Sequence, residues 1–204
     1  MARRRKPSGR KDGRPLGERQ VNVRPMRPKY LIVCEGARTE RNYFKRFRVN
    51  ADVIDLDVRG LGDNTLSLVS RTCEIMTEDE YAQTWCVFDR DSFPAERFND
   101  ALALPKRSDI RVAYSNEAFE LWYLLHFHYH DSATSRDLYE QMLSQRLGIP
   151  YRKNDPHMYR LLEDRTHIAI QNAERLLTWY GDAHNPEKDN PCTTVHELVR
   201  ELLR

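Results

Sequence analysis

Three carboxylates in this chain stand where a metal-assisted reaction needs them. Glu35 directly follows the apolar run Tyr30-Leu31-Ile32-Val33-Cys34, and Asp89 and Asp91 directly follow Trp85-Cys86-Val87-Phe88. Both runs read as buried strands, and open parallel sheets bind their ligands beyond the carboxyl ends of the strands. Acids gathered at one such rim repel each other unless a cation neutralises them. Oxygen-only ligation, with no His or Cys close by, suits Mg²⁺ or Mn²⁺. The spacing Asp89-x-Asp91 lets two carboxylates leave a strand end on the same side and share an ion. A single acid at a strand end is also an ordinary helix cap, so the weight rests on the joint occurrence.

Further candidates surround this set. Glu40, five residues after Glu35 and one turn inside an expected helix, reads either as a ligand for a second ion or as a solvated helix acid. Glu120 stands in Ala118-Phe119-Glu120-Leu121-Trp122-Tyr123-Leu124-Leu125, apolar nearly all round. An unpaired charge is expensive to bury there, so Glu120 should meet a cation, a metal or several hydrogen-bond donors. Glu117, one turn earlier, either joins it or serves only the helix dipole. Arg38 and Arg90 flank the acids and either hold phosphate oxygens or pair with neighbouring carboxylates. Of His126, His128 and His130 only the outer two share a helical face, and no C-x-x-C or H-E-x-x-H spacing accompanies them, so zinc is not expected. His157, His167 and His184 stand alone, as surface or locally bonded residues. Nothing matches G-x-x-x-x-G-K-[ST] or G-x-G-x-x-G, so any ATP dependence has to come from a partner.

The elements that must position these groups alternate. Strands are expected at 30–34, at 53–58 as a half-exposed edge strand ending at Gly60, at 85–88 and at 110–114, with helices at 39–47 and 65–80 between them. The second helix presents Leu66, Val69, Cys73 and Met76 on one stripe. Strands alternating with helices imply a small parallel sheet with right-handed crossovers. From Asn116 onward the pattern is helical only: a buried helix over 118–125, then 135–147, 156–162, 166–180 with Ile170, Ala173, Leu177 and Tyr180 inward, and a last helix opened by the capping box Thr194-Val195-His196-Glu197. The loop 181–191, rich in Asn, Asp and Pro, is expected to be the most mobile stretch of the body.

Charge is segregated along the 204 residues. Residues 1–29 carry eleven Lys and Arg against two acids, a charge of +9, which leaves 22 bases and 29 acids, −7, on the remainder. With four Pro, three Gly and few apolar residues, this segment should be a flexible arm, and Arg3, Arg4, Arg5 and Lys6 in it suit sequence-independent attraction to phosphates as well as mere solubility. The division expected is therefore an arm over 1–29, an α/β core over 30–115 and a mainly helical part over 116–204 packed on that core. Seven Phe, ten Tyr and three Trp suffice for a core, which excludes wholesale disorder. No run of eighteen apolar residues exists and no apolar stretch follows the basic start, so neither a membrane span nor a signal peptide is expected, and a cytoplasmic location is. Cys34, Cys73, Cys86 and Cys192 lie far apart and support neither a zinc ribbon nor a disulfide framework.

A strand, Glu35-Gly36, Thr39-Glu40, and a later strand ending in Asp89-x-Asp91 resemble the Toprim fold of topoisomerases, primases and OLD-family nucleases. More closely, Cys34-Glu35-Gly36-Ala37-Arg38-Thr39-Glu40-Arg41-Asn42-Tyr43-Phe44, Phe88-Asp89-Arg90-Asp91, Ser115-Asn116-Glu117-Ala118-Phe119-Glu120-Leu121-Trp122 and Asn190-Pro191-Cys192-Thr193-Thr194-Val195-His196 together resemble the RloB-like family from about residue 30 to the end. Asn116-Glu117 departs from the Asn-Pro expected there. The resemblance implies a Toprim-like small parallel sheet flanked by helices, a metal-dependent nuclease, and bacterial restriction or phage-defence loci, often beside an ATPase of the ABC/SMC type. It maps the Toprim glutamate to Glu35, as ligand or general base, and the paired aspartates to Asp89 and Asp91. Two other readings compete. Phe88-Asp89-Arg90-Asp91-Ser92 resembles the nucleophile loop of haloacid-dehalogenase phosphotransferases, although that loop normally follows the first strand. The second is a non-catalytic, nucleic-acid-binding subunit. The choice between RNA and DNA, and the oligomeric state, have no motif here.

Overall fold

The apolar runs pair side by side as parallel strands. In the computed structural model the residues described are 27–47, 49, 53–62, 65–90, 98, 102 and 109–204, with 65 and 66 as backbone only. Asp91 and the arm residues Arg3, Arg4, Arg5 and Lys6 lie outside them. Strands β1 (Lys29–Cys34), β2 (Asp55–Gly60), β3 (Gln83–Asp89), β4 (Ile110–Asn116) and β5 (Cys192–Thr193) form one sheet in the order β2-β1-β3-β4-β5. All pairings are parallel except β4 with β5, and β2 holds an edge as its half-exposed pattern predicts. The chain leaves β1 for β2 on one side and returns to β3 on the other, so β1 and β3 are neighbours at the point where the strand order reverses.

Each strand feeds both faces, as a period of two requires. Ile32, Cys34, Trp85, Val87 and Ala113 pack with α1 (Thr39–Lys45), α3 (Glu120–Leu125), α4 (Arg136–Leu147), α5 (Met158–Leu162), α6 (Thr166–Tyr180) and α7 (Val195–Leu202), whereas Leu31, Val33, Cys86 and Phe88 pack with α2 (Thr65–Ile75). This is an α/β fold, a five-stranded, mostly parallel sheet flanked by helices, consistent with the Toprim-like expectation. The apolar helix α3 is buried over its whole length, and Gly148 ends α4 at φ 69°, a conformation open to glycine at no steric cost.

Several local expectations are corrected. β5 interrupts the stretch expected to be helical only; two residues are too few to show a period, and their pairing with Ser115 and Asn116 makes them a strand. Helix α2 stops at Ile75 and buries Leu68, Val69 and Thr72, leaving Cys73 and Met76 half-buried. Thr72 can face the core because its hydroxyl donates to Leu68 O at 2.7 Å. In α6 the buried stripe is Thr166, Ala169, Ala173 and Leu176, one position round from the expected one. The capping box of α7 does not form, since Thr194 Oγ1 instead accepts the Tyr114 amide of β4 at 3.0 Å. The loop 181–191 is held both within itself and from β4: His184 joins Asp189 of the same loop and the Tyr114 hydroxyl, each at 2.7 Å, and Asn116 Nδ2 donates to Pro186 O and Glu187 O. None of the helices described is long and apolar enough to cross a membrane.

Candidate functional site

Glu35 is the first residue beyond β1, and its amide continues the ladder by donating to Val87 O of β3 at 2.8 Å. Its Oε2 accepts the amide of Asp89, the last residue of β3, at 3.3 Å. The two residues thereby meet at the carboxyl ends of adjacent strands. With Glu40 from α1 and Glu120 from α3 they line one cleft of about 390 Å³, which also holds Gly36, Arg38, Thr39, Arg136, Lys153 and Asn154. Glu35, Arg38, Glu40, Asp89 and Glu120 are thus brought together. Arg90 is not: it lines a separate hollow with Asn116 and Glu117, and its Nε donates to Glu187 O at 3.2 Å, because residue 90 leaves β3 on the side of the 181–191 loop.

Each acid has its own surroundings. Asp89 is buried, with Oδ2 3.1 Å from Nη2 of Arg136. Glu120, also buried, accepts a hydrogen bond from the Tyr151 hydroxyl at 2.9 Å, which meets the expectation that an acid in this apolar helix needs a donor. Glu40 is 5% exposed, and its Oε2 has no hydrogen-bond partner among the described residues. Burial pushes its carboxyl up to about 7, and the charge of Glu120 adds to this against Arg136 and Lys153. Gly36 makes room for this carboxylate, since a Cβ at that position would stand 1.8 Å from Glu40 Oε2.

The proton on Glu40 is linked to stability. Its folded pKa is raised, so the contribution is complete below the ordinary carboxylate range and is lost as pH rises through about 7. In EDTA, Glu40→Gln should therefore match the parent near pH 5 and exceed it at pH 8 by on the order of 1–3 kcal/mol, one pKa unit being worth about 1.4 kcal/mol. Denaturant titrations at the two pH values test this; a variant no more stable at pH 8 than at pH 5, relative to the parent, contradicts it.

The C-terminal helices supply groups that local spacing did not announce. Arg136 opens α4, where a base opposes the helix dipole, and that is its one local hint. Lys153 and Asn154 come from the α4–α5 loop, with Asn154 at φ 69°. Asn tolerates this left-handed conformation better than most residues, and here Thr39 Oγ1 donates to its Oδ1 at 2.9 Å and Asn42 Nδ2 to its backbone oxygen at 3.1 Å.

The donor set suits a hard divalent cation in kind: every acid in the cleft offers carboxylate oxygen, and Glu40 Oε2 is buried without a hydrogen-bond partner among the described residues. Among the described residues no three His, Cys, Asp or Glu side chains are grouped as a ready cage. Mg²⁺ is commonly held by one or two carboxylates with water, and Glu35 and Asp89 both line the cleft. His126, fully buried, instead shares Nδ1 with Trp122 O at 2.9 Å.

Comparison with known proteins agrees with the motifs. No curated protein and no solved structure matches the chain. The family model described as RloB-like protein matches residues 30–202, from β1 to the end of α7. A match over most of the chain makes the protein a member of the RloB-like family.

Proposed function

We propose that this chain is a Mg²⁺- or Mn²⁺-dependent, Toprim-type nuclease that hydrolyses phosphodiester bonds in RNA or DNA, in the cytoplasm, as part of a bacterial antiviral or abortive-infection system. The observation that carries the reading is the meeting of Glu35 and Asp89 at the ends of adjacent strands, in a cleft shared with Glu40 and Glu120 and rimmed by Arg38, Arg136 and Lys153. Glu35 and Asp89 would hold the ion, with Glu40 and with Asp91 beyond the described residues. A bound divalent cation supplies an activated water and stabilises the leaving oxygen.

The chain's own groups do the rest. Arg38 and Lys153, exposed at the rim, bind nonbridging phosphate oxygens, and Arg136 balances the charge of Asp89. Tyr151 orients Glu120 by its hydrogen bond. Arg3, Arg4, Arg5 and Lys6 of the basic arm add affinity for phosphates without reading sequence. The defence role and an ABC/SMC-type ATPase as partner rest on the family resemblance; without a phosphate-binding loop of its own, the chain would take ATP dependence from that partner.

The test is sequencing of RNA and DNA ends after inducing the protein with and without the neighbouring ATPase, beside Glu35→Ala. New ends are expected with the parent protein and not with the variant. Identical ends from both, while both still bind nucleic acid, would overturn the nuclease reading in favour of a non-catalytic binding subunit.

A further inference from the structure

The loop that lines the acidic cleft turns directly into a second hollow. Lys153 and Asn154 line the cleft, whereas Pro156 and His157 line a hollow of about 260 Å³ completed by Arg46, Tyr159, Arg160 and Glu163. Asn154 and Pro156 are two residues apart, so their Cα atoms lie within about 7 Å. Helix α1 makes the same link from the other wall: Thr39 and Glu40 face the cleft, and Arg46 caps the far end, about 10 Å along the axis.

This second hollow is basic. Arg46, His157 and Arg160 are exposed, and Arg46 and Arg160 have neither an ion pair nor a hydrogen bond from their side chains among the described residues. The acids nearby are Glu163, which shares the lining and has an interaction of its own, and Asp155, whose Oδ1 is occupied by the His157 amide at 2.8 Å. The loop joining the two hollows is pinned to α1 through Asn154 by Thr39 and Asn42, so its basic neighbours are held at a set distance from the carboxylates. Planar guanidinium groups without a carboxylate partner among the described residues, gathered at one hollow, suit phosphate oxygens.

We propose that this hollow is a phosphate subsite for the nucleic-acid strand that occupies the acidic cleft, with Arg46 and Arg160 holding the backbone next to the linkage in the cleft. The strand would pass along residues 153–157, between α1 and α5. Its placement relative to a cleavage point rests on the nuclease reading; its affinity for the backbone does not.

The experiment uses the full chain and its variants R46Q/R160Q and R46K/R160K, all checked for parental melting. Fluorescein-labelled 20-mer RNA and DNA single strands are titrated in EDTA across a salt series, and cleavage of the same strands is followed in Mg²⁺. The Gln variant should bind 20-mers at least tenfold more weakly, with a log-log salt slope shallower by about 1.4, as expected for two lost phosphate contacts. The Lys variant should recover most of both. RNA and DNA showing the same loss identifies the shared backbone as ligand; a loss confined to one identifies its source. Parental affinity and slope in the Gln variant overturn the proposal. If no strand is cleaved by any form while the Gln variant still loses affinity, the nuclease reading fails and the subsite stands.

Discussion

On the proposed metal-dependent nuclease reading, Gly36→Ala is expected to leave the protein folded and to lower metal affinity and cleavage about a hundredfold, equivalent to about 2.7 kcal/mol. The reason is contact rather than backbone conformation. The Glu40 carboxylate lies over the Gly36 α-carbon so closely that an added methyl would stand 1.8 Å from Oε2, 2.6 Å from Cδ and 2.8 Å from Oε1. The side chain of Glu40 has to rotate out of the cleft, which separates it from Glu35 and Asp89. Because a side-chain end can yield where backbone cannot, melting should change little. Gly60 offers the contrast: a Cβ there meets the backbone oxygens of Gly36 and Ala37 at 2.8 and 2.9 Å, so Gly60→Ala must displace the turn itself. Calorimetric titration with Mg²⁺ and Mn²⁺, alongside cleavage rates, measures the effect. Parental metal affinity in Gly36→Ala would mean that Glu40 is no part of the cation site.

Tyr43→Ala should destabilise the fold by about 3–5 kcal/mol, the usual range for deleting a buried aromatic ring, a loss large enough to leave much of a marginally stable domain unfolded. Tyr43 is 1% exposed and its ring sits 5.3 Å from Phe44, 5.8 Å from Phe119, 5.6 Å from Tyr123 and 5.5 Å from Tyr159, mostly edge to face. It therefore joins α1, α3 and α5, and the cavity left behind cannot be refilled from one side. Tyr43→Phe keeps the ring and should cost less than about 1 kcal/mol. Guanidinium denaturation compares the three proteins. An alanine variant within about 1 kcal/mol of the parent would show that the cluster relaxes around the loss.

Much of the architecture was written locally. β1, β3 and β4 are apolar runs short enough for strands, β2 alternates as an edge strand does, and α3 is apolar on every side, so their kinds and burial followed from neighbouring residues alone. The same holds for four acids of the cleft: Glu35 and Asp89 are marked by their strand ends, Glu40 by its first-turn position, and Glu120 by the cost of an acid in an apolar helix. Periods of two and 3.6 and strand-end positions are properties of contiguous residues, so the chain carries them openly.

Tertiary structure decided which of these local features meet. Only the strand order makes β1 and β3 neighbours and turns two separate strand ends into one rim. Arg136 reaches Asp89 across 47 residues, and Asn154 reaches Thr39 across 115, while Arg90, beside Asp89 in the chain, is drawn instead to Glu187 O in another hollow. The buried faces of α2 and α6 likewise include threonines whose hydroxyls find carbonyl partners, Thr72 on Leu68 O and Thr166 on Glu163 O. A side chain's long-range partner is set by how whole layers pack and by which buried polar groups must be satisfied. That requirement involves residues far apart in sequence and leaves no spacing of its own.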